Sequence, residues 1–321
     1  MEHFIKYLQA KNLTKSTQKG YVRYVNKFLS WYNFEELVQS KVEVSNTEKK
    51  DILKYLKYLK NKGQQNQTRN KSLIAIRYYF EFLRKTNQII VNPANLLKIR
   101  GIKKQILYKI FTVEELTGLA DDYYHSFIRT AEYNHIPKSI IEKTQLTRQR
   151  NYLLLTFLVY QGLHTNELLK ITIEDIDLIK STIKIKGRRR TKPRTIKLKV
   201  EQIGVLMNYL QNIRPEFLKY YNEETDQLFL KLPRYKNKKS ISTNTNDLFS
   251  YLTVQVKSIS PNFTNFKQIR ASVITNWIKT KGLRKAQYLA GHCNTSSTEK
   301  YQPNDLEQLT DEIEKYNPFA F

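Results

Sequence analysis

Three side chains of unlike chemistry fall within one C-terminal stretch, NFKQIRASVITNWIKTKGLRKAQYLAGHCNTSSTEKYQPNDLEQL: the guanidinium of Arg270, the imidazole of His292 and, nine residues further on, the phenol of Tyr301. Arg270 opens a long amphipathic helical pattern, and a glycine turn at Gly282 leads into LRKAQYLAGH. A cation, an imidazole and a phenol are the materials of metal-free chemistry on an anionic substrate. Other layouts are missing: there is no Walker-type phosphate loop, no HExxH and no pair of CxxC motifs. His3, His125, His135, His164 and His292 are scattered, and Asp305, Glu307, Asp311, Glu312 and Glu314 read as the solvated face of one helix, not a two-magnesium cluster. Neither a metal nor any other cofactor is expected.

Charge points to the substrate. The 321 residues include 55 Lys and Arg against 29 Asp and Glu, a net +26, far beyond the needs of solubility, so the partner should be a polyanion. The cations are interleaved with aromatic and aliphatic residues, which favours double-stranded DNA over a membrane surface. Residues 1–110 hold 23 basic against 7 acidic side chains, +16, leaving +10 for the rest. No apolar run approaches the roughly 20 residues of a membrane span, and MEHFIKYLQAKNL lacks a signal-peptide layout. A cytoplasmic protein, on the nucleoid when bound to DNA, is expected. The lone Cys293 excludes a disulfide framework and a multi-cysteine zinc site.

The elements that must position these groups read as two domains and a linker, in a mainly α fold with a small β-hairpin, α+β. Residues 1–97 form a helical bundle. Tyr21, Tyr24, Val25, Phe28, Leu29 and Tyr32 fall at helical spacing behind a cap at Ser16, with Lys15, Lys19, Arg23 and Lys27 on the other face. KKDILKYLKYLKNKG gives a second helix between a cap at Thr47 and a stop at Gly63; Leu73, Ile76, Phe80 and Leu83 mark a third. Residues 98–111, with five cations from Lys98 to Lys109, read as a basic interdomain linker. The second domain, 112–321, opens on a capping box at Thr112 and Glu115. Its β signal is STIKIKGRRRTKPRTIKLKV, where Ile183 and Ile185 alternate before a turn and Ile196, Leu198 and Val200 after it. Nine cations and no acid between Lys184 and Lys199 call for an anionic neighbour. Lys236 to Asp247 reads as a polar loop, NDLEQLTDEIEKY as a last helix, and NPFAF as an apolar tail that should be buried.

KQIR at Lys267 to Arg270, AGH at Ala290 to His292, and Tyr301 nine residues beyond the box histidine resemble the signature of the tyrosine recombinase, or phage integrase, family. QGLHTNELLKI resembles the upstream Gly-Leu-Arg and Glu-Leu landmark, with Glu167 at the acidic position. The resemblance covers nearly the whole chain. It implies an N-terminal helical SAM-like core-binding domain and a tyrosine-recombinase catalytic domain. It also implies two departures, since His164 stands where the family has an arginine and Lys267 where it has a histidine. Arginine is a fixed, always charged fork, whereas histidine is largely neutral near pH 7.

In the resemblance's terms Tyr301 is the nucleophile forming a 3′-phosphotyrosyl link, and Arg270, His164, Lys267 and His292 are phosphate ligands or proton handlers. Counting 24 residues from His164 puts the hairpin cation, the general acid, at Arg188, with Lys186 and Lys192 as alternatives because arginine is a poor acid. Glu167 should orient a neighbouring basic side chain. The residues expected to meet DNA are Lys15, Lys19, Arg23, Lys27, Arg69, Lys71, Arg77, Lys103, Lys104, Arg189, Arg190 and Arg194. The implied function is site-specific recombination for integration or excision of a mobile element. A protein monomeric in solution would assemble as a tetramer on DNA, with or without an accessory DNA-bending protein, and its C-terminal tail would dock on a neighbour or on its own domain. Two alternatives stay open: a cleavage-impaired DNA-binding or accessory protein, and a type IB topoisomerase-like or resolvase activity.

Overall fold

The computed structural model describes residues 1–36, 46–102, 108–133, 136–187, 191–221, 224–232 and 246–302. The chain divides into two compact units, Met1–Ile106 and Leu107–Phe321. The last helix and tail read from the sequence, and most of the polar loop at 236–247, lie outside the described residues.

The first unit is built from α1 (Glu2–Ala10), α2 (Lys15–Glu36), α3 (Lys49–Asn61) and α4 (Asn66–Lys85). Its core follows the apolar stripes: Val25, Phe28 and Tyr32 from α2, Ile52, Tyr55, Leu56 and Leu59 from α3, and Leu73, Ile76, Phe80 and Leu83 from α4 are all buried. Two caps differ from expectation. Ser16 lies inside α2; the hydroxyl of Thr14 accepts the Thr17 N–H at 3.2 Å, so the threonine, with an oxygen one residue outside the helix, starts it. At α3 the carboxylate of Asp51 accepts the Glu48 N–H at 2.9 Å, which makes Glu48, not Thr47, the boundary residue.

The stretch expected as a linker is fastened at both ends. The Asn66 amide donates to the carbonyls of Arg100 and Gly101, and Arg77 donates to that of Leu97, within the first unit. Within the second, Gln268 donates to the Lys109 carbonyl, the Phe111 N–H to the Ser272 hydroxyl, and Asn276 to the Phe111 carbonyl.

The second unit holds α5 (Val113–Tyr124), α6 (Lys138–Gln161), α7 (Thr165–Leu168), α8 (Val200–Asn208), α9 (Arg214–Leu218), α10 (Asn246–Ile259), α11 (Phe266–Ala290) and α12 (Ser296–Glu299). Thr112 and Glu115 close the capping box of α5, at 3.1 and 2.8 Å. A three-stranded antiparallel sheet runs in the order β1 (Ile176–Asp177), β2 (Thr182–Ile185), β3 (Arg194–Lys197), with Ile183 opposite Ile196. The two-residue β1 is too short to leave a period-2 signal. Val200 belongs to no strand: it is 81% exposed at the start of α8, because the Gln202 side chain takes the Lys199 N–H and turns the chain into a helix. Ile183, Ile185, Ile196 and Leu198 seal the sheet against the core of α6, α8, α10 and α11.

Candidate active site

The α6–α7 junction, β3, the start of α11 and residues 290–301 converge in the second unit. Gly162 ends α6 at φ 54°, and its carbonyl accepts a hydrogen bond from Arg270 Nη1 at 2.5 Å. A Cβ there would come within 2.8 Å of Val273 Cγ1, so both backbone angle and close packing require glycine. Two residues on, His164 caps α7: its Nδ1 accepts the Asn166 N–H at 3.1 Å, and Glu167 Oε2 accepts the His164 N–H at 2.9 Å.

Glu167 is the hub. Arg194 donates Nη1 to Oε1 at 2.9 Å and Nη2 to Oε2 at 3.1 Å, and Arg270 Nη1 approaches Oε2 at 3.5 Å. Burial pushes this carboxyl up, but the hydrogen bonds and charge of Arg194, the charge of Arg270 and the His164 N–H outweigh it, so it is held below the usual glutamate range. Arg270, also buried, donates Nη2 to the Ala290 carbonyl at 2.8 Å. Burial pulls the Arg270 guanidinium down and Glu167 opposes it, followed by Tyr301. Its hydrogen bonds to Gly162, Ala290 and Glu167 fix the guanidinium in position.

Gly291, at φ 73°, ends α11, and a Cβ on it would lie 2.4 Å from Arg194 Nη1; the glycine of AGH is the space that lets the ion pair pass. The four-residue α12 then brings the chain back. The Tyr301 N–H donates to the Thr298 carbonyl at 2.9 Å, and Thr275 Oγ1 donates to the Tyr301 carbonyl at 3.2 Å. The Tyr301 phenol thereby comes close enough to Arg270 to act on it electrostatically. Its ring stacks on that of His292, with centroids 5.8 Å apart and planes 9° from parallel. His292 Nδ1 is 2.9 Å from Thr298 Oγ1. Burial first, then the positive charges of Arg270 and Arg194, pull the His292 imidazole down to about 4, so it is neutral at pH 7.

The hairpin borders this cluster. Thr191 forms an isolated β-bridge with His292, and the Lys192 N–H donates to the Gly291 carbonyl at 2.8 Å, so the exposed Lys192 side chain leaves a backbone pinned beside the imidazole. Lys186 is engaged elsewhere, 3.1 Å from Asp175 Oδ2 and 3.2 Å from Thr172 Oγ1. Arg188, Arg189 and Arg190 lie outside the described residues, as do Lys103 and Lys104. Lys267 is exposed on the first turn of α11, one turn ahead of Arg270.

Three cations expected at DNA make bonds within the protein, Arg194 from a buried position and Arg69 and Arg77 from half-buried ones. Arg194 is 3% exposed and bound to Glu167 and to the Leu289 carbonyl. Arg69 donates to the Leu56 carbonyl and to Asn66, tying α4 to α3, and Arg77 donates to the carbonyls of Ala94 and Leu97. Each satisfies backbone or carboxylate acceptors that burial removes from water. Lys15, Lys19, Arg23, Lys27 and Lys71 are all exposed. The roles of Arg194, Thr275 and Thr298 went unread in the sequence, although His164 and Glu167 stand at the capping-box spacing, three residues apart. Among the described residues no group of three or more His, Cys, Asp or Glu could hold a metal ion, and no helix is long and apolar enough to cross a membrane.

Comparison with known proteins bears on the family and the fold. The model of the phage integrase family matches residues 126–308, and that of the phage integrase N-terminal SAM-like domain matches residues 1–89. The tyrosine recombinase XerC of Natranaerobius thermophilus is 26% identical over 99% of this chain and 98% of its own length. The TnP I resolvase of Bacillus thuringiensis is 26% identical over 98% of each chain. Among solved structures, the post-cleavage complex of the XerH site-specific recombinase with palindromic difH substrate superposes with a TM-score of 0.70 at 20% identity, covering 96% of this chain and 82% of that one. The Tn1549 transposon integrase with circular intermediate DNA gives 0.64 at 14%, covering 97% and 98%. At such identities the superpositions speak for the fold.

Proposed function

The chain belongs to the phage integrase family, and from that premise we propose that it is a site-specific DNA recombinase, cleaving and rejoining double-stranded DNA for integration or excision of a mobile element. The observation that carries the reading is the Tyr301 phenol held against Arg270 and stacked on a neutral His292.

In this reading the Tyr301 oxygen attacks the scissile phosphorus, the bond to the 5′ oxygen breaks, and a 3′-phosphotyrosyl link conserves the bond's energy. Negative charge grows on the non-bridging oxygens, and Arg270, preorganised by Gly162, Ala290 and Glu167, meets it without reorganising. His292, in its neutral form, can donate to a phosphate oxygen or take up a proton. Lys192 is the general acid that protonates the leaving 5′ oxygen, since Lys186 is tied to Asp175. Lys267 supplies charge at the rim. A 5′ hydroxyl from a partner duplex then attacks the link and releases Tyr301.

The α2 stripe Lys15, Lys19, Arg23 and Lys27 holds phosphates in sequence-independent fashion. The protein works in the cytoplasm, on the nucleoid, as a tetramer across two DNA sites. The test uses DNA flanking the gene, searched for inverted half-sites around a short spacer. Two duplexes carrying that site should exchange strands through a Holliday junction. Relaxation of supercoils without exchange would support a topoisomerase-like activity instead, and binding without cleavage an accessory protein.

A further inference from the structure

His164 is the departure from the family pattern that the geometry explains. Its Nδ1 accepts the Asn166 N–H, and its own N–H goes to Glu167, so both halves of a capping box close on a helix of only four residues. A helix that short cannot supply its own nucleation free energy and depends on its caps. The carboxylate it presents is the one that grips Arg194 and Arg270. Arginine has five donors and no acceptor, so an arginine at 164 could not make this cap. An imidazole can, provided Nδ1 is unprotonated and the ring proton sits on Nε2.

We propose that His164 is a positioning residue: it caps α7 through Nδ1 and thereby holds Glu167, and through it Arg270, in register for the phosphate. The inference rests on the recombinase reading above, and deepens it by moving His164 from the phosphate's own ligands to the support of one of them. A small displacement of such a support is costly, since misplacing a reacting group by about 1 Å can slow a step a hundredfold.

Three substitutions separate the cap from a direct phosphate contact. Serine keeps a cap acceptor but is too short to reach the substrate; lysine keeps a long donor but has no acceptor; alanine keeps neither. The readout is the rate of covalent adduct formation on a nicked suicide duplex, with DNA affinity measured alongside. His164→Ser should stay within about threefold of the native rate. His164→Lys and His164→Ala should both fall by about tenfold or more with affinity unchanged. A fast lysine variant with a slow serine variant overturns the proposal, and so do three equal rates. No adduct from the native protein would instead count against the recombinase reading. In that event the cap is still tested by nitrogen-15 spectra of labelled histidine: His164 should show an unprotonated Nδ1 and a protonated Nε2, and the opposite tautomer overturns it.

Discussion

Replacing Glu167 by glutamine removes the single carboxylate beneath two buried guanidiniums. The Arg194 side chain is 0% exposed and that of Glu167 5%. Removing one partner of a buried pair costs about 3–5 kcal/mol, because the surviving charge keeps its desolvation penalty. The amide still offers one oxygen, so the lower end, about 3 kcal/mol, is expected. In a unit of this size that lowers Tm by about 6–12 °C. The two tryptophans, Trp31 and Trp277, fall one in each unit, and a Trp31→Phe background leaves Trp277, on α11, as the sole indole reporting the second. The loss should shrink when Arg194→Met is already present, because one stranded charge is then gone. A shift under about 2 °C, well below that range, or a cost undiminished in the Arg194→Met background, would refute the placing of Glu167 as the electrostatic hub.

Lys192→Ala should slow cleavage by about 10²–10⁴-fold and recover when the 5′ oxygen is replaced by a sulfur leaving group that needs no proton, whereas Lys186→Ala should leave the rate near native; single-turnover kinetics on both substrates decide. Neutralising Lys15, Lys19, Arg23 and Lys27 together should flatten the plot of log affinity against log salt by about 0.9 for each phosphate no longer neutralised, which titrations at several salt concentrations measure. The His292 ring should titrate near pH 4 in DNA-free protein, by proton NMR, and upward of that in Arg270→Ala. Because its folded value lies below the ordinary 6.5, the unfolded chain binds the proton more readily, so this histidine erodes stability as pH falls from about 6.5 towards 4.

The local parts of the site were legible in the sequence. The order of Arg270, His292 and Tyr301 survives because a helix, a glycine stop and one short helical turn set their separations. Charge was the misleading signal. Counting cations placed Arg194 at DNA, yet strand alternation puts it on the same face as Ile196 and Leu198, both buried. Arg69 and Arg77 differ from it: they stand four residues either side of the buried Leu73, half-buried at the edge of the core stripe of α4. What the sequence could not carry is partnership across long separations: Glu167 with Arg194, 27 residues apart, and with Arg270, 103 residues apart, or Thr275 with Tyr301. Those pairings exist only once α7, β3 and α11 are packed.

The most direct measurement of the central claim is peptide mapping of the protein trapped on a suicide duplex. Mass spectrometry should find the nucleotide on the peptide containing Tyr301, and Tyr301→Phe should bind the same duplex with native affinity and form no adduct. An adduct that persists in Tyr301→Phe, or one mapped to another of the 22 tyrosines, would contradict the account.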